Sequence, residues 1–271
     1  MEHLTTILPL VAILLAVGAF AGVLAGLLGV GGGIVLVPAF FYLFNGLGYG
    51  SDGLMRVCVA TSMATIIITS TRSVTAHARK GAVEWQLLRD WAPYVAGGAL
   101  LGVFLVSRLD THALTIIFGT LVMAIALYMA FGKQSWRIAE GMPGQGFRLW
   151  FGPLMGAVSV LLGIGGGSIS TPMQTLHGIP IHRAVATSAG FGAIMAVPST
   201  VAFLLTPVEG APPYTVGSIN LPALVVIGAT TAITAAWGAA LAHRLDPKPL
   251  KRIFAGFLML VALNMLRKAL L

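Results

Sequence analysis

Long apolar runs alternate with short polar stretches along this 271-residue chain, and the acidic residues are confined to the gaps. Glu2, Asp52, Glu84, Asp90, Asp110, Glu140, Glu209 and Asp246 all fall between runs, none deep inside one. A carboxylate at the centre of a membrane helix costs about 2.5–3.5 kcal/mol on insertion scales. Charged residues make up 9% of the chain, against about 25% in a soluble domain. A water-facing surface cannot be covered with so few. Lipid must be the solvent, and the chain is expected to be an all-α polytopic protein, multi-pass in the cell inner (plasma) membrane.

The organisation within that class comes from an internal repeat. Leu28-Gly29-Val30-Gly31-Gly32-Gly33-Ile34-Val35-Leu36-Val37-Pro38 shares its frame with Leu162-Gly163-Ile164-Gly165-Gly166-Gly167-Ser168-Ile169-Ser170-Thr171-Pro172. Downstream, Val59-Ala60-Thr61-Ser62 matches Val185-Ala186-Thr187-Ser188, and Arg108-Leu109-Asp110 matches Arg244-Leu245-Asp246. Matches in one order at a nearly constant offset mark two similar halves. Residues 1–132 form the first transmembrane repeat, 133–148 a cytoplasmic linker and 149–271 the second repeat, together one integrated membrane domain.

Each half reads as five apolar segments, at about 7–28, 34–47, 56–76, 91–107 and 112–131, then about 149–163, 168–179, 183–205, 219–242 and 249–268. The second segment of each half spans only about 20 Å as a helix, too short for a hydrocarbon core of about 30 Å. Segments one and two are therefore expected to form a broken-helix hairpin with a glycine tip inside the membrane. Basic residues follow segment three in the first half (His77, Arg79, Lys80, Arg89) but not in the second; after segment four the bias reverses, with Arg244, Lys248, Lys251 and Arg252. The positive-inside tendency then sets the halves antiparallel, as inverted repeats. Arg267 and Lys268 fall on the outer side in this arrangement, against the tendency.

Several classes are excluded. The formal charge of +8 is dispersed over short loops, unlike the clustered patch of a nucleic-acid binder. One cysteine, Cys58, allows neither an intrachain disulfide nor a cysteine zinc site and reads as a small buried hydrophobe. Residues Ile7 to Leu28 lack a basic leader and exceed the usual signal-peptide core; their counterpart in the second half assigns them to the fold. Gly-x-Ser-x-Gly is absent and no histidine lies deep in an apolar run, so an enzyme is not expected, nor any cofactor, metal or catalytic group. Glycine, at 34 residues, recurs at i+4 in Gly18, Gly22, Gly26, in Gly98, Gly102 and in Gly152, Gly156, the spacing of close helix seams. Trp85, Trp91, Trp136, Trp150 and Trp237 mostly sit at segment edges, as an aromatic belt would.

Candidate binding residues cluster at the repeated blocks. Gly31, Gly32 and Gly33, like Gly165, Gly166 and Gly167, let the backbone turn and let a ligand approach it. The helix after each block starts with unpaired N–H groups and a partial positive charge, so two such starts facing one cavity would hold an anion without buried Lys or Arg. A tight packing turn is the alternative, and the symmetric recurrence argues against it. Thr61, Ser62, Thr187 and Ser188 could donate to anion oxygens or could bond neighbouring carbonyls. Ser168, Ser170, Thr171 and Gln174 are polar only in the second half, so a cavity should be asymmetric in donors. Arg72 is the basic residue well inside an apolar run; it could charge an inner mouth or snorkel to the interface. Histidines 77, 112, 177, 182 and 243 lie at segment ends, where interfacial solvation is expected.

The paired Gly-x-Gly-Gly-Gly block, the proline five residues on and the later Ala-Thr-Ser resemble the TauE/SafE family of sulfite exporter proteins over nearly the whole chain. The resemblance implies transport of sulfite, a sulfonate or a related oxyanion, with the glycine blocks and Thr-Ser pairs at the substrate site. A secondary carrier of a small sulfur-containing anion, an exporter working by alternating access, is the expected function. A passive anion channel using the same helix ends is the alternative.

Overall fold

A computed structural model describes residues 2–28, 32–132, 136–242 and 247–270, with side chains except those of 2–11 and 247–251. Gly31, predicted at the site, lies outside the described residues, as does the match at 244–246. The helices are α1 (Glu2–Leu28), α2 (Gly33–Gly46), α3 (Leu54–Ala78), α4 (Trp85–Arg108) and α5 (Thr111–Phe131), then α6 (Gln145–Leu161), α7 (Gly167–Leu176), α8 (Ile181–Leu204), α9 (Leu221–Ala242) and α10 (Pro247–Leu270). A two-stranded hairpin, β1 (Thr215–Val216) and β2 (Ile219–Asn220), precedes α9. Helices α3, α4, α5, α8, α9 and α10 each carry a stretch long and apolar enough to cross a membrane, and the all-α polytopic class read from the sequence holds. The short second helices are present too: α2 has 14 residues and α7 has 10, about 21 and 15 Å at 1.5 Å per residue.

Among the boundaries that differ from the apolar runs, two do so for a polar reason. Helix α4 starts at Trp85, ahead of the run at 91, because its first turns are solvated: Gln86 donates to Asp90 at 2.9 Å, and Asp90 pairs with Arg148 of α6 at 3.0 Å. The run at 219–242 begins in β2 because Asn220 caps the following helix, its Oδ1 accepting from the Ala223 N–H at 3.1 Å, an arrangement that satisfies a donor the helix start leaves open.

Packing is organised around α3 and α8. The apolar window of α3 is 78% buried and that of α8 56%, against 28–39% for α4, α5, α9 and α10, so these two form the axis and the others the lipid-facing shell. Helix α1 packs on α9 and α4 on α6; α5 packs on α10 and α3 on α8; α3 also meets α9, and α8 meets α4. Exchanging α1–α5 with α6–α10 maps this set of pairs onto itself. Glycines make the close crossings. A Cβ on Gly26 would overlap Ala235 O and Ala239 N of α9, and one on Gly156 would overlap Val95 O of α4. The i+4 glycines are helix seams, and each half lays its first helix against the fourth helix of the other.

Two side chains depart from the interfacial expectation. Trp85, Trp136, Trp150 and Trp237 are exposed, but Trp91 is fully buried and meets the rings of Phe147 and Phe151 edge-on. His77 is also buried, its Nε2 3.3 Å from Gly26 O of α1. Both sit at helix crossings, where a neighbouring helix replaces the headgroup region. Cys58 is buried, as read.

Candidate functional site

Gly32 and Gly166, equivalent positions of the two glycine blocks, take the same conformation. Gly32 has φ 76° and ψ −14°; Gly166 has φ 74° and ψ −10°. This left-handed conformation is strained for residues with a Cβ, and it lets each glycine cap the next helix with its carbonyl. Gly32 O accepts from Val35 and Leu36, Gly166 O from Ile169 and Ser170, at 2.8–3.2 Å. Among the described residues, the N–H groups of Gly167 and Ser168 that open α7 find no backbone acceptor, as helix geometry requires.

The bends touch. A Cβ on Gly33 would overlap Gly163 O and would stand 2.9 Å from Ser62 Oγ. Ser62 of α3 donates to the same Gly163 O at 2.7 Å. A residue of the first block, the first-half serine and the second bend thus share one buried contact, and glycine at 33 is what permits it.

The remaining predicted residues divide. On α7 and α8, Ser188 Oγ is within 2.7 Å of Ser170 Oγ, 2.8 Å of Thr171 Oγ1 and 3.0 Å of Gln174 Nε2. Gln174 Nε2 also reaches Ser170 O and Ala184 O, at 3.2 and 3.4 Å; two carbonyls can only accept, which fixes the amide orientation. The Ser168 hydroxyl is buried without a partner among the described residues. The counterpart stretch Ile34–Val37 in α2 is buried and apolar, so polarity is concentrated in the second half. Arg72 is not brought to the bends: it is exposed, and its Nε donates to Ala232 O of α9 at 3.0 Å. Two hydroxyls that sequence reasoning passed over stand beside the second bend, Ser70 of α3 and Ser159 of α6, both buried and unpartnered among the described residues.

The model of the sulfite exporter TauE/SafE family matches residues 14–265. The chain belongs to that family. A probable membrane transporter protein of Haemophilus influenzae is 35% identical over 258 residues, covering 94% of this chain and 97% of the relative. One from Methanocaldococcus jannaschii is 27% identical over 260 residues, covering 96% of both. YunE of Bacillus subtilis, also a probable membrane transporter protein, is 26% identical over 197 residues, covering 65% of this chain and 71% of the relative. No solved structure matches the chain. Family membership and the membrane-long helices make this TauE/SafE protein a multi-pass membrane transporter.

Within this TauE/SafE chain the two threonines of the repeated Thr-Ser pairs have equivalent jobs. Thr61 Oγ1 accepts from the Asn220 N–H that precedes α9, and Thr187 Oγ1 accepts from the Glu84 N–H that precedes α4, each at 3.0 Å. Each half thereby holds the fourth helix of the other. Thr61→Val and Thr187→Val leave a backbone donor unmade, a loss of about 1–3 kcal/mol. Thermal melting of the purified variants should show the larger drop for Thr61→Val, because Asn220 is buried while Glu84 is half-exposed; Thr→Ser at either position should be close to wild type. A separate cleft of about 440 Å³ is lined by Asp52, Gly53, Arg56, Arg108, Leu109, Asp110, Pro207, Val208 and Glu209. Its three carboxylates offset its two guanidinium groups, and it shares no residue with the bends.

Proposed function

We propose that this protein is a secondary transporter of a small sulfur-containing anion, sulfite or an organosulfonate, held where the two bends meet. The reading rests chiefly on the contact of Gly33 with Gly163 beside the unpaired N–H groups opening α7. A helix start carries about half a positive charge, and no Lys, Arg, Asp or Glu occurs in either glycine block. Such a helix start attracts an anion, and the blocks carry no carboxylate to hold a cation. The family description, sulfite exporter, supports the substrate class and an outward direction, which we assign across the plasma membrane.

The residues 1–132 and 149–271 act as two inverted repeats joined by a cytoplasmic linker at 133–148, an architecture that alternates access by moving one half against the other. Short helices ending at buried irregular backbone fit this, because such backbone is tolerated at membrane depth only inside protein or along a cavity. The self-mapping set of helix pairs supports it as well. Sulfite flux into proteoliposomes tests the reading. Saturable uptake, accelerated by sulfite on the opposite side, is expected of a carrier. Flux that rises linearly with concentration and shows no counterflow would mean a passive anion channel, and absence of flux with sulfite, thiosulfate and methanesulfonate would end the reading.

A further inference from the structure

We propose that Ser70 and Ser159 bind the oxygens of the transported anion together with the opening N–H groups of α7, so that the substrate sits against the second bend rather than midway between the two. The proposal rests on the reading of the bends as the substrate site. Ser159 is 0% exposed and Ser70 1%, and neither hydroxyl has a partner among the described residues. Both converge on Gly165–Gly166 from different helices. Ser159 Oγ is 3.5 Å from where a Cβ on Gly166 would stand. A Cβ on Gly192 of α8 would overlap Ser70 Oγ and would lie 3.1 Å from Gly165 O.

Hydroxyls inside membrane helices normally return their proton to a carbonyl one turn back. Thr65 and Thr231 do so here, to Thr61 O at 2.9 Å and Ile227 O at 2.8 Å. Ser70 and Ser159 do not, and a buried donor left unmade is a cost that calls for a reason. The first bend supplies the control. Gly32 has Ala25 Cβ 3.4 Å from its own Cβ position, where Gly166 has Ser159 Oγ at 3.5 Å. In the repeat of Thr61-Ser62 with Thr187-Ser188, Ser70 corresponds to Ala196. Among the described residues, the glycine turn at Gly166 is flanked by free hydroxyls where its counterpart at Gly32 has an alanine methyl group. Two O–H donors beside two helix-opening N–H groups suit a small oxyanion with at least three acceptor oxygens, and neutral donors bind it without a buried counter-charge.

Thermal melting of the full-length protein in detergent, titrated with sodium sulfite, thiosulfate and methanesulfonate against sodium chloride, separates the roles. Wild type should be stabilised by at least one of the sulfur anions, since a ligand of the folded state raises its melting point. Ser70→Ala, Ser159→Ala and the double variant remove hydroxyls that bond to nothing among the described residues, so without anion their melting points should equal or exceed wild type. The apparent Kd for the stabilising anion should rise at least about tenfold in the double variant, a loss of about 1.4 kcal/mol. A double variant that keeps the wild-type anion response would overturn this proposal and leave the reading of the bends standing. So would variants that melt lower or cannot be purified, since that would make the serines structural. No response of wild type to any of the three anions would instead defeat the reading of the bends, and this proposal with it.

Discussion

Alanine in place of Gly33 should reduce sulfite flux in proteoliposomes by at least about a hundredfold, the scale of loss that a misplacement of about 1 Å causes at a reacting or binding centre. Its Cβ would overlap the Gly163 carbonyl and crowd Ser62 Oγ, which already donates to that carbonyl. A backbone atom cannot swing aside as a side chain can. The bends must separate, at an overpacking cost of about 1–3 kcal/mol, and the anion's donors move with them. Gly97→Ala is the matched control: its Cβ meets nothing within 4 Å, so flux should stay at the wild-type level. If Gly33→Ala transports normally, the contact between the bends has no part in function.

Leucine at Gly26 or at Gly156 should remove the folded protein altogether. At Gly26 even a methyl group overlaps Ala235 O and Ala239 N of α9; at Gly156 it overlaps Val95 O and approaches Ala99 N of α4 to 2.7 Å. Membrane helices associate through close packing of small residues, lipid providing no hydrophobic drive between them. Parting either seam therefore removes one of the main contacts between the halves. Size-exclusion chromatography of solubilised membranes should show aggregate or no peak for both variants, and a monodisperse peak for Gly97→Leu. Equal loss at both seams is expected because the same first-on-fourth helix pairing occurs twice.

Much of this was legible in the sequence because hydropathy and glycine each have a direct structural consequence. Apolar runs located the helices to within a few residues, and the i+4 glycines marked the crossings. The repeated Gly-Gly-Gly located two bends whose left-handed glycines, Gly32 and Gly166, agree to within a few degrees. The roles of single polar residues were less legible. Thr61 reads in the sequence equally as a donor for a ligand or as a hydroxyl bonded within the helices, and nothing local shows that it accepts the N–H of Asn220, 159 residues away. Arg72 reads either as a charge at an inner mouth or as a side chain snorkelling to the interface, and the structure shows it exposed with its Nε on a carbonyl of α9. Ser70 and Ser159 are ordinary serines in apolar runs, like many that bond their own helix; only their shared position beside Gly165 and Gly166 distinguishes them. The hints available were Ser159 and Ser70 matched with Ala25 and Ala196 across the repeat, a difference in polarity like that of Ser168-Ile169-Ser170-Thr171 against Ile34-Val35-Leu36-Val37.

Selenite has the shape and charge of sulfite and a strong anomalous signal, so a crystal of the full-length protein grown with it would locate the substrate directly. The peak should lie against Gly165–Gly167, within hydrogen-bond distance of Ser70 and Ser159. A peak confined to the cleft of Arg56 and Arg108, or one with no glycine-bend contact at all, would contradict the central claim that an anion is held where the two bends meet.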